Sequence, residues 1–266
     1  MSYGDGETAD ATAYRGRKRA LDADQMALDE LDRMFRYEIE PSEVAALLVE
    51  PVQGEGGYYP ASAGFWQALR ELATLHEILL ISDEVQTGFG RTGAWFAGDL
   101  LGAVPDVLVM GKAIANGLPL AALGASTELM ARWKPGSHGS TFGGNPISCA
   151  AATATIDVLR DVIPKVGELA ERAATRFDEI SVRRSTVGNV RGLGLMIGIE
   201  LSHDDRSPDS EAMEHVKQQA LDTGMFLLPC GPDGNVIRFV PPLNVTTEDL
   251  DRGIDIIDEA LASYEA

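Results

Sequence analysis

Ile78-Leu79-Leu80-Ile81-Ser82-Asp83-Glu84-Val85-Gln86-Thr87-Gly88-Phe89-Gly90-Arg91-Thr92-Gly93 begins as a short apolar strand and ends as a glycine-rich turn, with Asp83 at the join. Working outward, Ala45-Ala46-Leu47-Leu48-Val49 is a second apolar run, ending at Glu50-Pro51, and it reads as a strand buried on both faces. Between the two lies a helix that Ser62 can cap, with Phe65, Leu69, Leu72 and Leu75 along one face. Strand, helix and strand make a β-α-β unit, for which a right-handed crossover is the default. Beyond the turn, Val107-Leu108-Val109-Met110 forms a third strand that runs into Lys112, and Leu120 to Ala125 a fourth. Asp83 and Lys112 therefore both fall where strands end, the place where open parallel sheets gather ligands.

The rest of the chain continues the alternation. Met26, Leu28, Leu31 and Phe35 recur at helical spacing from Asp22 to Phe35, and Pro41 closes that helix off. Met1 to about Tyr14 has few apolar anchors and is expected to fray. Asn145 can cap a helix with Pro146 at its first position, running through Ala150–Ala154 towards Leu159. The character changes near Asp161: a helix over Glu168–Ile180, a strand over Gly194–Leu201, a helix over Glu211–Thr223, strands at Met225–Leu228 and Val236–Val240, and a last helix carrying Leu250, Ile254, Ile257 and Leu261. The expected organisation is α/β, with a partial large domain on a mostly parallel sheet over residues 1–160 and a small α+β domain over 161–266.

Composition narrows the function. A chain of 266 residues with 45% hydrophobic content buries a sizeable core. A formal charge of -19 argues against nucleic acid or anionic lipid as partners, because phosphate is repelled. Lysine occurs only at Lys18, Lys112, Lys134, Lys165 and Lys217, and the dense carboxylate surface reads as adaptation to high salt, or else as ordinary acidity. Cys149 and Cys230 are expected to be reduced and buried, and the histidines lack metal-ligand spacing, so no metal is expected. No apolar run approaches the ~18 residues of a membrane span, so a cytoplasmic location is expected.

A strand-end carboxylate can simply cap a helix or pair with arginine, and a strand-end lysine can snorkel to solvent. Taken together, the two fit pyridoxal phosphate chemistry, which needs an amine to hold the cofactor's aldehyde and a carboxylate to keep its ring nitrogen protonated. The apolar neighbours Val109, Met110, Ala113 and Ile114 point to a buried Lys112, and burial would lower its pKa.

The longer strings carry a resemblance. The segment Ser82–Gly93 with Gly111-Lys112-Ala113, the upstream Val49-Glu50-Pro51-Val52-Gln53-Gly54-Glu55-Gly56-Gly57, and the downstream Lys134-Pro135-Gly136-Ser137-His138-Gly139-Ser140-Thr141-Phe142-Gly143-Gly144-Asn145-Pro146 together resemble the class III, or omega, aminotransferases, from about Asp29 to the end. The resemblance implies fold-type I and pyridoxal 5'-phosphate as cofactor. It implies that Asp83 pairs with the pyridinium nitrogen, Val85 presses on the ring and Gln86 reaches the phenolic oxygen. Lys112 would hold the cofactor and move the substrate proton. Thr141 would bind the cofactor phosphate of a neighbouring subunit in a homodimer. Arg238 would grip a substrate carboxylate with its bidentate fork, and Glu55 would be the gating acid that pairs with it; a purely structural ion pair is the alternative.

The resemblance also implies a longer N-terminal portion with a phosphate-binding turn and a ring-stacking aromatic. This chain starts after those features, so its sheet is expected to expose an apolar edge and apolar faces. The expected reaction moves an amino group from an omega-amino or basic amino acid, of ornithine, acetylornithine or 4-aminobutyrate type, to a 2-oxo acid such as 2-oxoglutarate. The alternatives are a same-fold racemase or aminomutase, a non-catalytic fragment, or a truncated chain that depends on another chain supplying the N-terminal part.

Overall fold

The computed structural model describes residues 17–266, with side chains from residue 23; the expected fraying of Met1–Tyr14 lies outside the described residues. The chain divides into two compact units. One gathers Leu28–Pro51 and Ala63–Pro164; the other gathers Val52–Ser62 and Lys165–Ala266 with the first part of the opening helix. The Val52–Ser62 turn gathers with the C-terminal unit, and the later boundary between the units falls between Pro164 and Lys165.

The opening helix, α1, spans Arg17–Tyr37 and is longer than its apolar spacing indicated. Its buried stripe is Asp24, Ala27 and Leu31, while Met26 lies in solvent. In the first unit, β1 (Ala46–Val49), β2 (Leu79–Asp83), β3 (Val107–Met110) and β4 (Ala122–Ala125) form one sheet in that order. The β1–β2 and β2–β3 pairings are parallel and β4 returns antiparallel to β3. Helix α2 (Ala63–Leu75) buries Phe65, Trp66, Leu69 and Ala73, and the Trp66 indole donates to the Ala103 carbonyl at 2.9 Å. Strand side chains alternate faces. In β2, Leu80 and Ser82 are fully buried, whereas Leu79, Ile81 and Asp83 are only half-buried on the other face. Burial of β1 on both faces does not hold, since Leu48 is 66% exposed.

Short helices α3 (Ala97–Leu101) and α4 (Thr127–Ala131) follow the turn and β4 respectively. The long α5 (Pro146–Arg183) replaces the two helices expected on either side of Asp161. Asn145 caps it as expected, its side chain accepting from the Ser148 N–H at 3.0 Å. Pro164 lies inside the helix and removes one backbone donor. Burial of Ile163 and Val166 on either side offsets that loss and keeps the helix continuous.

In the second unit, β5 (Val187–Leu193), β6 (Met196–Leu201), β7 (Pro229–Cys230) and β8 (Val236–Phe239) make an antiparallel sheet in the order β5-β6-β8-β7. β5 is absent from the sequence reading because Gly188, Asn189, Arg191 and Gly192 break its apolar alternation. Met225–Leu228, expected to be a strand, is irregular, and the short strand begins only at Pro229. Helices α6 (Ser210–Asp222) and α7 (Thr247–Glu265), with the C-terminal half of α5, supply the apolar faces that close the core around Phe177, Ile197, Ile199, Val216, Phe239, Ile254 and Ile257. Phe177 and Phe239 meet edge to face, with centroids 4.9 Å apart.

Candidate functional site

Two groups of candidate residues emerge, one in each unit. In the first unit, parallel pairing sets Asp83 of β2 against Val109 of β3, and Lys112 follows three residues later. Both functional side chains thus sit at the same end of adjacent strands. Asp83 accepts from the Val85 N–H at 3.0 Å, which folds the chain over into the Gln86–Gly93 turn. Val85 packs against Gly111: a Cβ there would lie 3.3 Å from its Cγ1. The Lys112 ammonium donates to the Gln86 amide oxygen at 3.2 Å. These contacts bring Val85, Gln86 and Lys112 together beside the strand end that carries Asp83.

Lys112 adopts φ +43, in the left-handed region where an L-residue is strained. It opens a single 3-10 turn, Lys112–Ala115, whose Ile114 and Ala115 are buried. The lysine itself is exposed, contrary to the burial expected from its apolar neighbours. The apolar neighbours Ile114 and Ala115 go into the core, while Lys112, at the start of the turn, keeps its ammonium on Gln86 at the surface. Thr141 lies on the exposed loop between α4 and α5. Cys149 is exposed rather than buried, since it falls on an outward turn of α5; Cys230 is buried as expected.

The sequence reading passed over Glu84, the neighbour of Asp83. It is fully buried and accepts from Thr87 Oγ1 at 2.5 Å and from the N–H groups of Ala97 and Gly98 at 3.0 Å each. Burial raises its pKa, against the lowering effect of those donors. Glu84 therefore ties the start of α3 to the strand end and fixes the glycine-rich turn. Its role was unreadable locally because its partners lie up to fourteen residues downstream.

The second unit holds the Glu55 and Arg238 pair. The Arg238 side chain is 16% exposed; it donates from Nε to the Pro229 carbonyl at 2.8 Å and from Nη2 to the Glu55 carboxylate, which is itself 81% exposed. Burial would lower the guanidinium pKa, but the Glu55 bond and charge hold it above its ordinary value. Beside them, burial pushes the Cys230 thiol up to about 11, partly countered by the positive charges of Arg238 and Arg191. Arg191, absent from the sequence reading, is 2% exposed, pairs with Glu200 and lies over the Tyr59 ring at 3.7 Å. An alternating strand with one charge on β5 and an opposite one on β6 was the signal that could have found it.

Among the described residues, no group of three or more His, Cys, Asp or Glu is placed to hold a metal ion, and no helix is long and apolar enough to cross a membrane. A carboxylate, a primary amine, an amide and an apolar side chain gathered at one sheet end fit a planar aromatic aldehyde with a basic ring nitrogen.

Comparison with known proteins bears on this geometry. 5-Aminovalerate aminotransferase DavT of Pseudomonas aeruginosa is 40% identical over 233 residues, which are 86% of this chain and 55% of that protein. 4-Aminobutyrate aminotransferase GabT of Escherichia coli is 39% identical over 237 residues, 88% of this chain and 56% of its own length. The crystal structure of acetylornithine aminotransferase from Elizabethkingia anophelis superposes with a TM-score of 0.79 at 35% identity, covering 88% of this chain and 57% of that one. The chain thus spans about half the length of the curated relatives it matches. The family profile described as aminotransferase class-III matches residues 7–261, beginning upstream of the Asp29 at which the resemblance was expected to start. The chain belongs to the class-III aminotransferases, with the mixed α/β fold of that family.

Proposed function

We propose that this chain carries the lysine half of a pyridoxal-phosphate-dependent transaminase, moving an amino group from an omega-amino or basic amino acid to a 2-oxo acid such as 2-oxoglutarate. Class-III aminotransferases are pyridoxal phosphate enzymes, and the cofactor when bound supplies the electron sink that stabilises a substrate carbanion. The observation that carries the reading is the convergence of Asp83, Val85, Gln86 and Lys112 at the shared end of β2 and β3.

In this reading Asp83 would keep the cofactor's ring nitrogen protonated, and Val85, packed against Gly111, would press on the ring. Gln86 hydrogen-bonds the phenolic oxygen and orients the Lys112 amine. Lys112 would hold the cofactor and would then serve as the base and acid that moves the proton at the substrate carbon. Thr141 binds a cofactor phosphate contributed across a dimer, which makes a cytoplasmic homodimer the working assembly. Arg238 grips a substrate carboxylate, and Glu55 covers it when the substrate has none there. The -19 charge of the chain is taken as adaptation to high salt.

A second reading is favoured by the exposure of Lys112. A lysine left in water keeps its ordinary hydration, so full activity would call for a second polypeptide to close over it. The division into a partial cofactor-binding large domain over residues 1–160 and a small C-terminal domain over residues 161–266 belongs to the same proposal.

The test is direct. Purified chain is mixed with pyridoxal phosphate, reduced with borohydride and digested; the adduct is expected at Lys112 and at no other lysine, and Lys112→Ala abolishes it. With an amino donor such as 4-aminobutyrate, 5-aminovalerate or acetylornithine, pyridoxamine phosphate is the expected product. Its absence in the presence of an adduct would favour a racemase, an aminomutase or the fragment reading. Labelling spread evenly over all lysines would sink the proposal.

A further inference from the structure

The turn that carries Glu55 is held at several points. Val52 and Pro60 bridge its base, and the Gln53 N–H donates to the Tyr59 carbonyl at 2.9 Å. Its tip is pinned by the Gly231 N–H, which donates to the Glu55 carbonyl at 2.9 Å. Its middle is held by Arg191, whose Nε donates to the Gly57 carbonyl at 2.8 Å.

Arg191 is itself fixed on every other side. Nη1 donates to Asn189 at 3.1 Å and to Glu200, the Tyr59 hydroxyl donates to the same Glu200 oxygen at 3.1 Å, and the guanidinium stacks on the Tyr59 ring. Its remaining nitrogen, Nη2, is sealed without a hydrogen-bond partner. That nitrogen lies 3.2 Å from the place a Cβ on Gly57 would take, and Gly57 has φ +115, so only glycine lets the turn approach. An arginine buried with an unsatisfied donor is costly, and it persists where the rest of the network over-determines it.

We infer that Arg191 is a positioning residue for the carboxylate gate: it anchors the backbone of the Gly54–Tyr59 turn so that Glu55 leaves Arg238 by side-chain rotation alone, without movement of the turn. The inference rests on the reading of Glu55 and Arg238 as that gate. The Glu55 carboxylate is already in water, so rotating away breaks one ion pair and buries nothing. Holding the turn makes the gate return to the same place each time, which keeps Arg238 covered until a substrate carboxylate displaces the glutamate. A loose turn would leave Arg238 open to any carboxylate.

Phenylglyoxal labelling of the full chain tests this without requiring turnover. The rate at Arg238 is followed by peptide mass spectrometry, with Arg172 on α5 as the internal reference. Glu55→Gln removes the cover directly and is expected to raise the Arg238 rate by about fivefold, the scale of one partly exposed ion pair. Arg191→Lys keeps a positive charge for Glu200 but cannot also reach the Gly57 carbonyl. It is expected to raise the Arg238 rate to a similar degree while the Arg172 rate stays at the wild-type value. Tyr59→Phe, which leaves Arg191 in place, is expected to give a smaller rise.

Each outcome decides. A wild-type Arg238 rate in Arg191→Lys, with Glu55→Gln accelerated, overturns the anchoring role and leaves the gate intact. No acceleration in Glu55→Gln removes the gate reading itself. Equal acceleration at Arg172 and Arg238 in Arg191→Lys marks general loosening and overturns the positioning role.

Discussion

The two sheets of this chain are built from similar residues and buried very differently. The antiparallel sheet of the C-terminal unit is closed: β6 is buried along almost its whole length, and α5, α6 and α7 supply a continuous apolar core. In the mostly parallel sheet, among the described residues, Leu80 and Ser82 of β2 are buried on one face, every residue of β3 is half-exposed, and Leu48 of the edge strand β1 and Leu123 of the edge strand β4 are exposed. The side that Asp83 shares is the less covered one. Among the described residues, one sheet thus lies inside an apolar core, while the other carries Asp83 and Lys112 at the end of strands that are only partly covered.

The sharpest way to break the comparison is to cut the closed core. Phe177→Ala removes a fully buried ring and its edge contact with Phe239, and is expected to cost about 3–5 kcal/mol of unfolding free energy in urea titration. A loss below about 1 kcal/mol would mean that the core relaxes freely and that the two sheets differ less than their burial indicates.

Next in size is the buried carboxylate that fixes the turn beside Asp83. Thr87→Val deletes one donor to Glu84 without changing the shape of the side chain, and the expected cost is about 1–3 kcal/mol. The pH dependence has a definite sign. Glu84 is raised above 4.5, so its contribution to stability is fully present below 4.5 and is lost as pH rises through the folded value. Thr87 favours the ionised form; its removal is therefore expected to hurt more at neutral pH than at pH 4.5. Equal losses at both would mean that Glu84 stays protonated throughout.

The closed and open sheets also differed in how readable they were. β1, β2 and β3 stand out as uninterrupted apolar runs, and Asp83 and Lys112 could be placed at strand ends from residue order alone. β5 could not, since its side chains include glycines, Asn189 and an arginine whose partners are Glu200 and the Gly57 carbonyl, a hundred and more residues away in the second case. Pro164 hid the continuity of α5 because a local breaker was outweighed by burial that only the tertiary fold supplies. Lys112 was misplaced for the converse reason: apolar neighbours in sequence went into the core and the lysine did not. Local patterns are legible; partners across the chain are not.

A smaller effect tests what stitches the closed unit. Arg172, Arg176, Arg183 and Arg184 of α5 pair with Asp251, Asp255, Asp258 and Glu265 of α7 along one seam. Hydrogen bonding from Arg172 holds Asp251 below its ordinary value. For Asp258, burial pulls upward, but Arg183 and Arg184 together outweigh it and the net shift is also down. Both carboxylates thus contribute stability above 3.8 that is lost as pH falls through their folded values. Asp258→Asn is expected to cost about 0.5–1 kcal/mol at neutral pH, since the pairs are partly screened by water, and to flatten the acid limb of a thermal-melt profile. An unchanged acid limb would assign acid sensitivity to carboxylates elsewhere.

The smallest expected change in stability carries the most information about the open sheet. Leu48→Lys places a charge on an edge-strand position that is 66% exposed, so it removes little buried area, and the unfolding free energy is expected to move by less than about 0.5 kcal/mol. An apolar side chain on a strand that lies at the edge of the sheet among the described residues instead invites a second strand, and lysine is the residue that deters one. The measurable effect should therefore appear in self-association, as lower light scattering and a smaller apparent mass at high protein concentration, with the melting curve unmoved. If Leu48→Lys destabilises the monomer as strongly as a core truncation, β1 is covered in solution, and the contrast between an open sheet and a closed one fails at its edge.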